Sequence, residues 1–177
     1  MPKKPIDELE AGRDYYARLL PQLDVKYFAT MWHLFTVGHL VATDLDQIAR
    51  TLGYSIADIL LLGSLGRDRS RALRATDLTS ILHVSNAVLS IRLVRLEKAG
   101  LLTRDRSNAD RRAFELQLTD KGRKVIADAI LLIAREAKIV RIFRRLRPAD
   151  KAVFSRILGD MHEKLDRDFI GVPHSDD

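Results

Sequence analysis

The stretch "TDLTSILHVSNAVLSIRLVRLEKAGLL", residues 76–102, decides the fold. Thr76 can cap a helix over residues 77–82. Ser85 can cap a second helix over residues 86–98, because a hydroxyl at that position accepts from the free amides of the first turn. Gly100 then ends the second helix as a left-handed residue just past its last turn. Two short helices with about three residues between them, the second longer and more basic, are the sequence form of helix-turn-helix. The spacing turns Leu78, Ile81, Leu82, Leu89, Leu93 and Leu96 inward and leaves Asn86, Ala87, Ser90, Ile91 and Val94 outward. A generic helical hairpin has the same pattern, so the decision passes to the residues that follow.

Residues 101–106 and 112–118 read as antiparallel strands joined by a five-residue loop, 107–111. Phe114, Leu116 and Leu118 alternate inward, and Thr119 caps the next helix. A helix-turn-helix followed directly by a basic hairpin is a winged helix. The wing, residues 101–118, carries Arg104 and Arg106 on its first strand and Asp110, Arg111 and Arg112 at its tip. Arginines placed there can enter a narrow, electronegative minor groove.

Charge follows the same geography. The chain has a net charge of +6, yet residues 67–124 hold 14 Lys and Arg against 7 Asp and Glu, so the remaining residues sum to −1. A positive region centred on one helix and one hairpin suits a nucleic-acid partner.

The flanks are helical. Residues 6–20 form a short helix ending before Pro21. Residues 24–50 form a long amphipathic one with Phe28, Met31, Trp32 and Phe35 on its stripe, stopped near Gly53. Ser55 and Asp58 resemble a capping box opening a helix to about Leu65, and "RDRSRALR", residues 67–74, reads as a polar loop. Beyond the wing, one helix is expected over residues 120–146 and another, opened by Pro148, over 149–169. The fold class is therefore mainly α with a small β-hairpin wing. Its segments are N-terminal helices 1–54, a winged helix-turn-helix 55–124 and C-terminal helices 125–177. The long apolar stripes outside the winged helix need a covering surface, and twofold association is the commonest solution.

Several classes of function are disfavoured. With 46% hydrophobic residues the chain can bury a core. It has no cysteines, which fits a reducing, cytoplasmic setting and removes disulfides and thiolate metal sites. No apolar run approaches the ~20 residues that span a bilayer, and the N-terminus lacks a signal-peptide core, so no membrane partner is expected. The five histidines show no metal-ligand spacing. "GSLG" at 63–66 lacks the lysine of a phosphate loop, and Ser64 lies in no nucleophile elbow. No catalytic residues, metal or cofactor are expected, and the chain does not read as an enzyme.

Residues 73–126 resemble the MarR family of bacterial transcription regulators, through "RLEKAGL" at the end of the second helix, "DRR" at the wing tip and "LTDKG" before the next helix. The resemblance implies a cytoplasmic homodimer, built through terminal helices, that binds double-stranded DNA at a pseudo-palindromic operator, commonly as a repressor released by a small molecule. It also implies that Asp110 braces the wing while Arg112 enters the minor groove. The DNA-contacting set is then Ser85, Asn86, Ala87, Ser90, Ile91, Arg92, Arg95, Arg104, Arg106, Asp110, Arg111 and Arg112. Family members usually carry polar residues on the groove-facing side of this helix, whereas Ile91 and Val94 are apolar, which suits contact with thymine methyls.

The opening "LRATDL" and the helix "SIRLVRLEKAGL" look closer to members that respond to urate and related aromatic anions. By that likeness Trp32, Asp58 and Arg92 would bind a small aromatic acid. The competing reading is a degenerate winged helix that binds a ligand or a protein without DNA, but such a module has no reason to keep Arg104, Arg106, Arg111 and Arg112 around one hairpin.

Overall fold

The computed structural model describes residues 5–22, 24–67, 75–106 and 114–170. Its elements run α1 (Pro5–Leu19), α2 (Phe28–Arg50), α3 (Ile56–Arg67), α4 (Ala75–Leu82), α5 (Asn86–Lys98), β1 (Leu102–Arg106), β2 (Phe114–Leu118), α6 (Asp120–Glu136), α7 (Lys138–Arg145) and α8 (Pro148–Ile170). This is the mainly helical fold with one small hairpin that the sequence implies. Two compact units, residues 1–44 and 45–177, divide the chain within α2. The three segments expected from the sequence divide it by role, and the second unit holds both later segments.

In the first unit, Gly12 lets α1 approach the Phe28 ring, since a Cβ there would lie 3.3 Å from it. Tyr16 meets Phe28, and Phe28 stacks on Trp32 with ring centroids 6.2 Å apart. Trp32 is thus the end of an aromatic run along α2, and it remains partly open to solvent.

The core of the second unit is made of leucine. Leu61, Leu62, Leu65, Leu78, Leu89, Leu93, Leu96, Leu101, Leu102, Leu116 and Leu118 form one buried cluster drawn from α3, α4, α5 and the hairpin. Leucine serves both helix and hairpin here because its branched end is one carbon removed from the backbone, so it fills the core without restricting χ1. Burying each such side chain contributes roughly 1.5–3 kcal/mol. A second, smaller cluster of Ala49, Ile59 and Ala129 joins the end of α2 to α3 and α6.

Helix α4 is described from Ala75, and the cap expected of the Thr76 side chain lies outside what is described. Two sequence expectations shift. Ile81 is exposed, because the eight-residue α4 buries only the face of Leu78 and Leu82. The long helix expected over residues 120–146 is broken at Ala137, which is extended (φ −60°, ψ 128°) and fully buried. Its N–H still donates to Ile133 and its carbonyl still accepts from Arg141, so the break leaves few backbone groups unpaired. Neither proline nor glycine marks the spot, and the apolar period runs on through Val140 without registering it.

Candidate nucleic-acid interface

Helix α5 is held at both ends by its own sequence. At the start, the Ser85 hydroxyl accepts from the Val88 N–H at 3.4 Å. At the end, Gly100 adopts φ 72°, a left-handed conformation that a Cβ would disfavour. The Gly100 N–H donates to Glu97 and the Leu101 N–H to Leu96, the pair of bonds that makes a Schellman motif. Leu96 and Leu101 then meet in the core. Every residue of "RLEKAGL" from Leu96 to Leu101 apart from Lys98 is accounted for by this turn.

The "LTDKG" segment clamps that turn from the other side. The Thr119 N–H donates to the Leu101 carbonyl, and the Thr119 hydroxyl donates to the Gly100 carbonyl at 2.8 Å. The same hydroxyl caps α6 by accepting from Gly122 at 3.0 Å. Lys121 donates to the Ala99 carbonyl at 2.7 Å, placing a cation at the negative end of α5. A Cβ on Gly122 would lie 2.1 Å from the Leu101 oxygen, so only glycine lets α6 pass this close. Three residues, the cap Thr119 with Lys121 and Gly122 of α6, thereby fix where α5 ends and where the wing begins.

The strands pair antiparallel with Leu102 opposite Leu118, Arg104 opposite Leu116 and Arg106 opposite Phe114. Side chains alternate, so Arg104 falls on the same face as the core leucines. Its Nε lies 2.8 Å from Glu97 on α5, and the head group is largely shielded. Arg104, expected among the DNA contacts, thus ties the wing base to α5. Residues 107–113, and with them Asp110, Arg111 and Arg112, lie outside the described residues, as does the side chain of Arg106.

On α5 the sequence expectation and the geometry agree on which way the helix faces. Leu89, Leu93 and Leu96 are buried, while Ser85, Asn86, Ala87, Ser90, Ile91 and Val94 are exposed. Arg92 is half-buried and makes no hydrogen bond or ion pair among the described residues. Arg95 is half-exposed but reaches back to Asp58 on α3.

Asp58 itself is sealed from solvent. Its carboxylate accepts from the Ser55 N–H at 2.8 Å, the Ser55 hydroxyl at 2.7 Å and the Arg95 guanidinium, while its own N–H donates to Ser55 Oγ. This is the reciprocal capping box anticipated from the sequence. Burial alone would raise the Asp58 carboxyl, but the Ser55 and Arg95 hydrogen bonds outweigh it and hold the group below its usual 3.8. Asp46 also titrates low, through the Ile56 N–H first and Arg50 second.

Of the three residues assigned to a ligand, Asp58 thus pairs with Arg95 rather than Arg92. The spacing 92–95 is a single helical turn, too fine for sequence reasoning to separate. Trp32 belongs to the first unit. A groove of about 630 Å³ in the second unit, lined by Leu52, Leu131, Leu132, Arg135 and Arg144 among others, contains none of the three. Among the described residues no three His, Asp or Glu side chains gather as a metal site, and no helix is long and apolar enough to cross a membrane.

The winged region matches known proteins. Residues 64–114 match the MarR family model. Over 103 residues the chain is 33% identical to the HTH-type transcriptional regulator PecS of Dickeya dadantii (strain 3937), a match covering 58% of this chain and 62% of PecS. Among solved structures, the MarR family regulator Sco3205 from Streptomyces coelicolor, in complex with DNA, superposes with a TM-score of 0.68. It is 24% identical over 81% of this chain and 89% of its own. The Mycobacterium tuberculosis MarR family protein Rv2887, in complex with p-aminosalicylic acid, gives 0.58 at 22% identity over 73% and 95%. At these identities the structural likenesses establish the fold.

Proposed function

This chain belongs to the MarR family through its winged helix, and on that premise we propose that it is a homodimeric DNA-binding transcription regulator acting at a pseudo-palindromic operator. The observation that carries the reading is the fixed, outward-facing α5. One face is locked into a leucine core, its end is clamped by Thr119, Lys121 and Gly122, and its other face is open and flanked by Arg92, Arg95 and Lys98. A helix held this rigidly, with none of the described residues covering its outer side, is ready to enter a major groove. Ser85, Asn86, Ala87, Ser90 and Ile91 are its contact residues. Arg106, Asp110, Arg111 and Arg112 form the wing that follows the backbone and minor groove, and Arg95 and Arg104 position these elements.

Dimerisation follows from the apolar side chains that α2, α6 and α8 leave exposed, Phe35, Leu131 and Phe154 among them. Two copies then present their α5 helices about one turn of DNA apart, roughly 10 base pairs between half-site centres. Repression lifted by a small aromatic acid completes the proposal. Salicylate titrated into the protein–DNA complex tests that part, and unchanged DNA affinity discards it.

The wing gives the direct test. Arg112→Ala should weaken operator binding by about 1–3 kcal/mol and flatten the slope of log affinity against log salt by about one, with the melting temperature unmoved. A folded variant that binds DNA as the parent does would favour the degenerate module without DNA binding.

A further inference from the structure

The outermost line of α5 is apolar. At about 100° of rotation per residue, the ridge diametrically opposite Leu89, Leu93 and Leu96 runs Ala87, Ile91, Val94 and Lys98. The structure bears this out in exposure: Ile91 is 72% and Val94 54% open to solvent. Asn86 and Ser90 lie on one flank of the ridge, and Val88 and Arg95 on the other. Single exposed apolar side chains are common on protein surfaces. A line of three along the most prominent edge of the helix, spaced i, i+4 and i+7, is a shaped surface.

Two occupants are conceivable for such a ridge. A protein partner would need about 800 Å² from this side for a stable contact, far more than alanine, isoleucine and valine supply, and it would have to meet the cations beside them. DNA fits both features. Lys98 and the half-buried Arg92 match phosphate charge, while the major groove offers one apolar group, the C5-methyl of thymine. We infer that the ridge Ala87–Ile91–Val94 reads thymine methyl groups, so that operator specificity at the centre of each half-site rests on methyl contact rather than on hydrogen bonds to base edges. This rests on the DNA-binding reading above and deepens it by naming the base feature recognised. Because a 5-methylcytosine carries its methyl at the same groove position, the ridge also accepts that modified base where it accepts thymine.

The experiment separates the two layers. Duplexes selected by the wild-type protein from a random pool supply the operator. Each thymine is then replaced by deoxyuridine, which removes the methyl and leaves every hydrogen bond in place. One or two positions per half-site should lose affinity by about threefold to fivefold each, the scale of one buried methyl group. Ile91→Ala should bind the thymine duplex correspondingly less well and be indifferent to deoxyuridine at its position. A thymine-to-cytosine change there should be partly rescued by 5-methylcytosine. Arg112→Ala should keep its sensitivity to deoxyuridine, since the wing makes other contacts. Ile91 is so exposed that its truncation leaves folding intact, and Val94→Ala provides a second variant. Selection that enriches no DNA overturns the DNA-binding reading itself. Selected DNA bound equally well with deoxyuridine at every position, or full deoxyuridine sensitivity in both Ile91→Ala and Val94→Ala, overturns the methyl-reading ridge alone.

Discussion

A methyl group on Gly122 would lie 2.1 Å from the Leu101 carbonyl oxygen, and that oxygen cannot retreat because it already accepts the Thr119 N–H. Gly122→Ala should therefore cost about 3 kcal/mol or more, measured by chemical denaturation. Gly63, inside α3 with nothing within 4 Å of its missing Cβ, should respond with the opposite sign, Gly63→Ala stabilising by about 0.5–1 kcal/mol. Asp58 gives a pH test. Its folded carboxyl titrates below the unfolded value of 3.8, so its contribution is present above that pH and drains away as the pH falls through the folded value. Asp58→Asn should be less stable at neutral pH by about 1–3 kcal/mol, yet lose less further stability on acidification below pH 4 than the parent does. The sequence displayed the Ser55–Asp58 box because its spacing is local. It could not display Arg95 as the third member, since that contact spans 37 residues.

The ends of elements were the best-written part of the sequence. Ser85, Gly100, Thr119 and Pro148 each carry a preference that acts within one turn, and each stands at the boundary it implied. Two of these caps should differ in weight. Thr119 holds the Gly122 N–H at 3.0 Å and also ties Gly100, whereas Ser85 makes a single long bond to Val88. Thr119→Ala should lower stability by about 1–2 kcal/mol and Ser85→Ala by no more than about 0.5–1 kcal/mol, compared by thermal melts. The break at Ala137 was unreadable for the converse reason: it is imposed by burial, and alanine is the residue least expected to end a helix. The pairing of Arg104 with Glu97 was not legible, because counting charges ignores strand alternation, which places Arg104 on the face of the core leucines.

For the molecule as a whole, the apolar surface left open is concentrated on helices outside the winged helix. Phe35 is 76% exposed on α2, Leu131 69% on α6, and α8 adds Val153, Phe154, Ile157, Leu158 and Leu165. Such an area is unusual for a chain that remains single. Sedimentation at micromolar concentration should give twice the 20.1 kDa chain mass, and a 20 kDa species at high micromolar concentration would defeat the dimer. Removing residues 149–177 should produce aggregation. The apolar stripes themselves were legible; what covers them was not, because periodicity marks a face without saying what meets it.

The clamp around Leu101 bears on the order in which the chain assembles. The contacts that join Ala99, Gly100 and Leu101 to Thr119, Lys121 and Gly122 close a loop of only about twenty residues, and the hairpin between them is already folded back on itself. Closing so short a loop costs little entropy, so the end of α5, both strands and the first turn of α6 can form together before any distant helix is in place. A nascent chain that has emerged only to the middle of α6 already holds every residue of that nucleus, and α5 is anchored before α7 and α8 exist.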